Sequence, residues 1–133
     1  MSQENVEIVH AFLDAGCRGD TEGFMAALDP RIEWTPVKDD PDYRVHRGLD
    51  DVATWLSEWT EIFPDMRWEP ERIVDAGGDL VVASVRAFGR GSATGLDVGT
   101  EPYGVIFALR DGQIVRIDES QTETALKEIG LAE

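Results

Sequence analysis

The chain has 133 residues, 42% hydrophobic and 29% charged, which suits one compact domain with a real core and would leave two full domains cramped. Its charge is the outlying quantity: 12 Lys and Arg against 27 Asp and Glu leave a net −15, which repels nucleic-acid phosphates and anionic membrane surfaces alike. Cys17 is the only cysteine, so an intrachain disulfide is excluded; with no basic start, signal-like apolar run or membrane-length stretch, a cytoplasmic setting is expected.

Ser2 is placed to cap a first helix, with Glu4 in its first turn. Val9, Phe12, Leu13, Gly16 and Cys17 then share one helical face, and His10 lies on its flank. Gly19 suits a helix end, and Asp20 can cap a short second helix carrying Phe24, Ala27 and Leu28. Asp29-Pro30 should end it, because the residue before a proline avoids the helical region. Ile32, Trp34 and Pro36 alternate with Glu33 and Thr35 as a short strand. The loop 36–47 holds Asp39, Asp40 and Asp42, which read as a solvated charge run. Gly48 opens the clearest helix, with Val52, Trp55, Leu56, Trp59 and Phe63 at helical spacing and Pro64 after them.

The remainder reads as β. Strands are predicted over 66–74, 80–88, 103–109 and 114–121, with a turn at 75–79 and a glycine-rich loop at 89–95. Asp111-Gly112 is a hairpin signal, and Thr122 can cap a closing helix that ends at Gly130. Helices first and an antiparallel meander after them give an α+β fold, one domain over 1–133. A sheet apolar on both faces needs cover on both. The helices supply one cover, and a homodimer through the sheet face would supply the other.

Chemistry in a pocket needs a polar side chain aimed inward among apolar neighbours. On the last strand Glu119 is in phase with Val115 and Ile117, while Arg116 and Asp118 face the other way. A desolvated carboxyl has a raised pKa and can move a proton near neutral pH; the alternative is an ionised Glu119 paired with an arginine at the sheet edge. Arg86 is in phase with Leu80, Val82, Ser84 and Phe88. It could bind a carbonyl or anionic oxygen, hold Glu119 ionised, or reach the rim. Tyr103 shares a face with Val105 and Phe107 and could donate to a substrate oxygen. Trp34 could stack on a ligand or pack in the core. With His10, Phe88, Phe107, Trp55 and Trp59 it makes up the candidate pocket wall. His10 and His46 could both titrate near neutrality.

No metal or cofactor is expected. The aspartate loop lacks the spaced ligands and closing glutamate of a calcium hand, and two histidines and one cysteine make no zinc spacing. There is no dinucleotide or phosphate loop and no nucleophile elbow; Gly89-Arg90-Gly91-Ser92 lacks the following helix of a phosphate cradle.

Several segments, in order, carry a resemblance. They are Arg18-Gly19-Asp20, Asp29-Pro30-Arg31-Ile32-Glu33-Trp34, and His46-Arg47-Gly48 leading into Trp55. Ile73-Val74-Asp75-Ala76-Gly77, the run from Leu109 to Arg116, and Ala125-Leu126 with Gly130-Leu131 complete them. The chain resembles a SnoaL-like domain of the nuclear transport factor two-like superfamily over nearly its whole length. The resemblance implies a curved antiparallel sheet wrapped round helices, a cone-shaped α+β barrel with an apolar pocket. It also implies a range of functions: cyclases, isomerases, epoxide hydrolases, dehydratases and members without chemistry. The residues fit a pocket for a small apolar, cyclic molecule. If it is an enzyme, Glu119 would move a proton beside a carbonyl, and Tyr103 or Arg86 would steady the oxyanion, in an isomerase or aldol-type cyclase. The alternatives are a non-catalytic binding or dimerisation module, or an epoxide hydrolase in which Arg86 and Glu119 act with a second acid, Glu101 or Glu33. In many SnoaL-like chains an aromatic and an acidic residue follow the last strand, where this chain has Glu119-Ser120-Gln121-Thr122.

Overall fold

The computed structural model describes residues 2–130. The side chain of Ser2, the expected first cap, and Leu131 of the closing motif lie outside the described residues. The elements are α1 (Ser2–Arg18), α2 (Thr21–Ala26), β1 (Leu28–Thr35), β2 (His46–Arg47), α3 (Leu49–Ile62), β3 (Arg67–Gly77), β4 (Leu80–Arg90), β5 (Asp97–Gly99), β6 (Tyr103–Arg110), β7 (Gln113–Asp118) and α4 (Thr122–Glu128). The strands form one curved, open sheet in the order β2-β1-β7-β6-β4-β3, with β5 added to β4.

The sheet is mixed, where an antiparallel one was expected. Every pairing is antiparallel except β1 with β7, which run parallel. The meander brings the last strand back beside the first one in the same direction. The Glu119 N–H then donates to the Thr35 carbonyl at 2.9 Å, so the pairing carries on one residue past the end of β7. This register places Glu119 beside β1.

One face of the sheet meets α1 and α3. Val9, Phe12 and Leu13 pack there with Trp34, Val85, Val105, Phe107 and Ile117, all buried. The other face is partly covered within the chain: Ala125 of α4 and Ile129 just after it pack on Val82. Gly104 of β6 permits this approach, because a Cβ there would lie 2.6 Å from the Ala125 Cβ and 2.9 Å from the Thr122 carbonyl oxygen. The surface that a second subunit was expected to cover is thus reduced by α4.

Local departures have local causes. Asp29-Pro30 does not end α2; it lies within β1, where the β1–β7 ladder breaks between Leu28 and Glu33. A proline has no N–H to donate, and such a break needs none. The short strand β2 lies in the stretch 36–47 that reads as a loop, and β5 lies between 96 and 102, where no element is expected. The last strand stops at Asp118, three residues early. Thr122 opens α4, but its hydroxyl donates to the Glu119 carbonyl at 2.9 Å instead of capping the helix. Two other signals hold. Asp20 caps α2 by accepting the Gly23 N–H at 3.0 Å. Asp111 (φ 52°) and Gly112 (φ 79°) form the turn between β6 and β7, with the positive φ at both positions that a two-residue hairpin turn requires.

Candidate functional site

The site begins where β7 ends. Ile117 and Glu119 both point inward, as period two requires, and Glu119 is only 5% exposed. The Trp34 indole Nε1 of β1 donates to Glu119 Oε2 at 2.7 Å. The Tyr103 hydroxyl of β6 lies beside the same carboxyl, and the Trp68 indole of β3 lies beside the Tyr103 oxygen, each close enough to bear on its neighbour's pKa. Burial pushes the Glu119 pKa up from 4.5 to about 7. The Trp34 and Tyr103 hydrogen bonds pull it down, and the negative charges of Asp40 and Asp118 add to the rise. Tyr103 is driven well above its ordinary value, first by burial and then by Glu119, so it remains a donor.

A second carboxyl faces the same space. Asp40, in the loop between β1 and β2, is 7% exposed. Its Oδ2 accepts the Trp55 indole at 3.2 Å and the Trp59 indole at 3.1 Å. Its Oδ1 accepts the Asp42 N–H at 2.7 Å. Trp55 and Trp59 are four residues apart on α3, so both N–H groups reach one acceptor. His46 is fully buried and stacks on Trp55, with ring centroids 4.4 Å apart and planes 17° apart. Its Nε2 lies 3.3 Å from the Asp42 carbonyl oxygen, which ties the loop bearing Asp40 to β2.

Asp40, Trp55, Trp59, Trp68, Tyr103 and Glu119 line one cavity of about 860 Å³. A smaller cavity of about 350 Å³ lies between α1, α2 and α3, and shares Leu56, Met66 and Trp68 with the first.

Of the candidates read from sequence, Glu119, Tyr103, Trp55, Trp59 and Phe88 meet at the large cavity. Trp34 is fully buried behind Glu119 and positions it. Phe107 sits in the core, edge-on to Phe12 at 6.0 Å. His10 is exposed on α1, away from the cavity lining. Arg86 does not reach Glu119: its Nε donates to Glu71 Oε2 at 3.0 Å across β3 and β4, and no arginine lines the cavity among the described residues. Of the two second acids weighed, Glu33 pairs with Arg47 at 3.3 Å, and Glu101 stands exposed at the rim. The acid that does enter is Asp40. Sequence reasoning missed it by grouping it with its exposed neighbours. The signal was the pair of tryptophans on α3, whose indole donors need a buried acceptor. Among the described residues no group of three or more His, Cys, Asp or Glu is placed to hold a metal ion.

Residues 9–117 match the family model of the SnoaL-like domain. The chain belongs to the SnoaL-like domain family. The match ends two residues before Glu119, so this acid lies just beyond the shared SnoaL-like frame. Solved structures agree on the fold. TerC, co-crystallised with polyporic acid, aligns at TM-score 0.76 and 20% identity over 94% of this chain and 96% of its own. An NTF2-like protein of unknown function from Burkholderia pseudomallei K96243 aligns at 0.74 and 20% over 96% and 98%. A protein from Jannaschia sp. CCS1, provisionally described as a SnoaL-like polyketide cyclase, aligns at 0.71 and 22% over 87% and 83%. No match is found among curated proteins. No helix among the described residues is long and apolar enough to cross a membrane.

Proposed function

We propose that this SnoaL-like domain is a cofactor-independent acid/base catalyst for an apolar, cyclic carbonyl compound, an isomerase or aldol-type cyclase in which Glu119 moves the proton. The observation that carries this reading is Glu119 itself: a buried carboxyl on the wall of an aromatic cavity, with its pKa raised to about 7. A base of that strength is half ionised at neutral pH and strong enough to take a proton next to a carbonyl. Tyr103 completes the step. In the free protein its hydroxyl sits beside the Glu119 carboxyl. As Glu119 takes the substrate proton and loses its charge, Tyr103 can donate to the developing oxyanion. Trp34 keeps the carboxyl in place throughout. The neighbours described as a polyketide cyclase and as bound to polyporic acid support a small organic ligand.

An epoxide hydrolase of the expected pattern needs an arginine between two acids. Arg86 is held by Glu71, which weighs against that alternative. The deciding assay follows exchange of the α-protons of small cyclic ketones in heavy water by NMR. Exchange should be accelerated by the protein and slowed at least about 100-fold in Glu119→Gln. Exchange unaffected by that substitution would overturn the role of Glu119. Ligand binding without exchange in either form would favour the non-catalytic module.

A further inference from the structure

We infer that the cavity selects a positively charged ligand, a cyclic apolar molecule bearing a protonated amine, and rejects the matching carboxylate. This deepens the acid/base reading of the same cavity and rests on it for the site.

Among the described residues Asp40 and Glu119 have no paired counter-charge. Buried carboxylates in proteins are ordinarily balanced by a cation. Here neither is. The ion pairs among the described residues all lie at other acids, and none involves Asp40 or Glu119. Asp40 is held by two indoles and a backbone amide, and Glu119 by an indole, with the Tyr103 phenol beside it. All of these groups are neutral, so none of them brings a positive charge to either carboxyl.

The lining repeats the sign. Asp39, Asp40, Glu101, Glu119 and Glu123 border the cavity, against Lys38 alone. An anionic ligand would bring a further like charge beside two buried acids, whereas a cation supplies what the site lacks. The walls are suited to the same ligand, because Trp55, Trp59, Trp68 and Tyr103 present π systems that attract an ammonium group. The volume of about 860 Å³ leaves room for the ring system that carries it.

Glu119 makes the preference depend on pH. It is faced by Trp34 from β1, Asp40 from the following loop and Tyr103 from β6, and the charge of Asp118 at the end of β7 also reaches it. When it ionises, the cation gains a partner.

The test is a series on one apolar cage: 1-adamantylamine, 1-adamantanol and adamantane-1-carboxylate, with binding followed by tryptophan fluorescence. At about pH 8 the amine should bind at least about tenfold tighter than the carboxylate, with the alcohol between them. The advantage should shrink at about pH 6 and in Glu119→Gln. A non-specific pull from the net charge of −15 would survive that substitution. The inference is overturned if the carboxylate binds as tightly as the amine, if no member binds, or if the preference is unchanged in Glu119→Gln. Should that variant fail to fold, the wild-type comparison between the two pH values reads the same group. Amine selectivity without α-proton exchange keeps this inference and sinks the acid/base reading. Exchange of a neutral ketone without amine preference does the reverse.

Discussion

Glu119 is held by groups that pull its pKa in opposite directions, and each can be removed alone. Trp34→Phe deletes the indole donor that favours the ionised form. The midpoint of any Glu119-dependent pH profile should rise by roughly one pH unit. Asp40→Asn deletes a like charge and should move it down. Both shifts are read from the pH dependence of α-proton exchange. Stability follows the same linkage. The folded state holds the Glu119 proton up to about pH 7, while the unfolded chain releases it near 4.5. Between those values the native state binds more protons, so stability falls as pH rises, by about 3 kcal/mol across the window. Glu119→Gln should abolish that slope, leaving the variant more stable than wild type at about pH 8 and nearly equal at about pH 4, measured by urea denaturation. Glu119 was legible in the sequence because a strand's alternation carries it inward beside Ile117. Asp40 was not, because a loop has no period and three nearby aspartates look alike until two tryptophans single one out. Arg86 failed for a related reason: its phase on β4 was readable, but its partner Glu71 is set by the β3 register.

At the scale of elements, the site depends on two junctions. One is the parallel pairing of β1 with β7, which brings Trp34 and Thr35 beside Glu119. The other is the docking of α4 on β6, where Thr122 bonds the Glu119 carbonyl and Gly104 leaves room for Ala125. Gly104→Ala should therefore destabilise the fold by about 1–3 kcal/mol in chemical denaturation, because the added carbon meets a backbone oxygen and a packed methyl at once. A stability equal to wild type would show that α4 docks less closely than described. Long elements were readable from the sequence, α3 by its helical period and β4 by its long run apolar on both faces. The short strands β2 and β5 were not, because two or three residues carry no period. The parallel β1–β7 pair was hidden for a different reason: the pairing of distant strands is decided by how the whole meander returns.

For the whole molecule, the unbalanced charge acts on stability as well as on ligands. A net −15 on one small domain repels itself. Raising salt from about 0.05 M to about 0.5 M at about pH 8 should raise the Tm, as screening shortens the reach of that repulsion. A Tm that falls instead would mean that the surface ion pairs outweigh it. The SnoaL-like frame supplies the curved open sheet and its helices, while the acid/base reading rests on how this chain furnishes the cavity wall. The most direct measurement is a ¹³C NMR titration of the Glu119 side-chain carboxyl in the folded protein, assigned with Glu119→Gln. The account predicts a midpoint near 7, displaced downward in Asp40→Asn. A midpoint near 4.5, the value of an ordinary exposed glutamate, would contradict it.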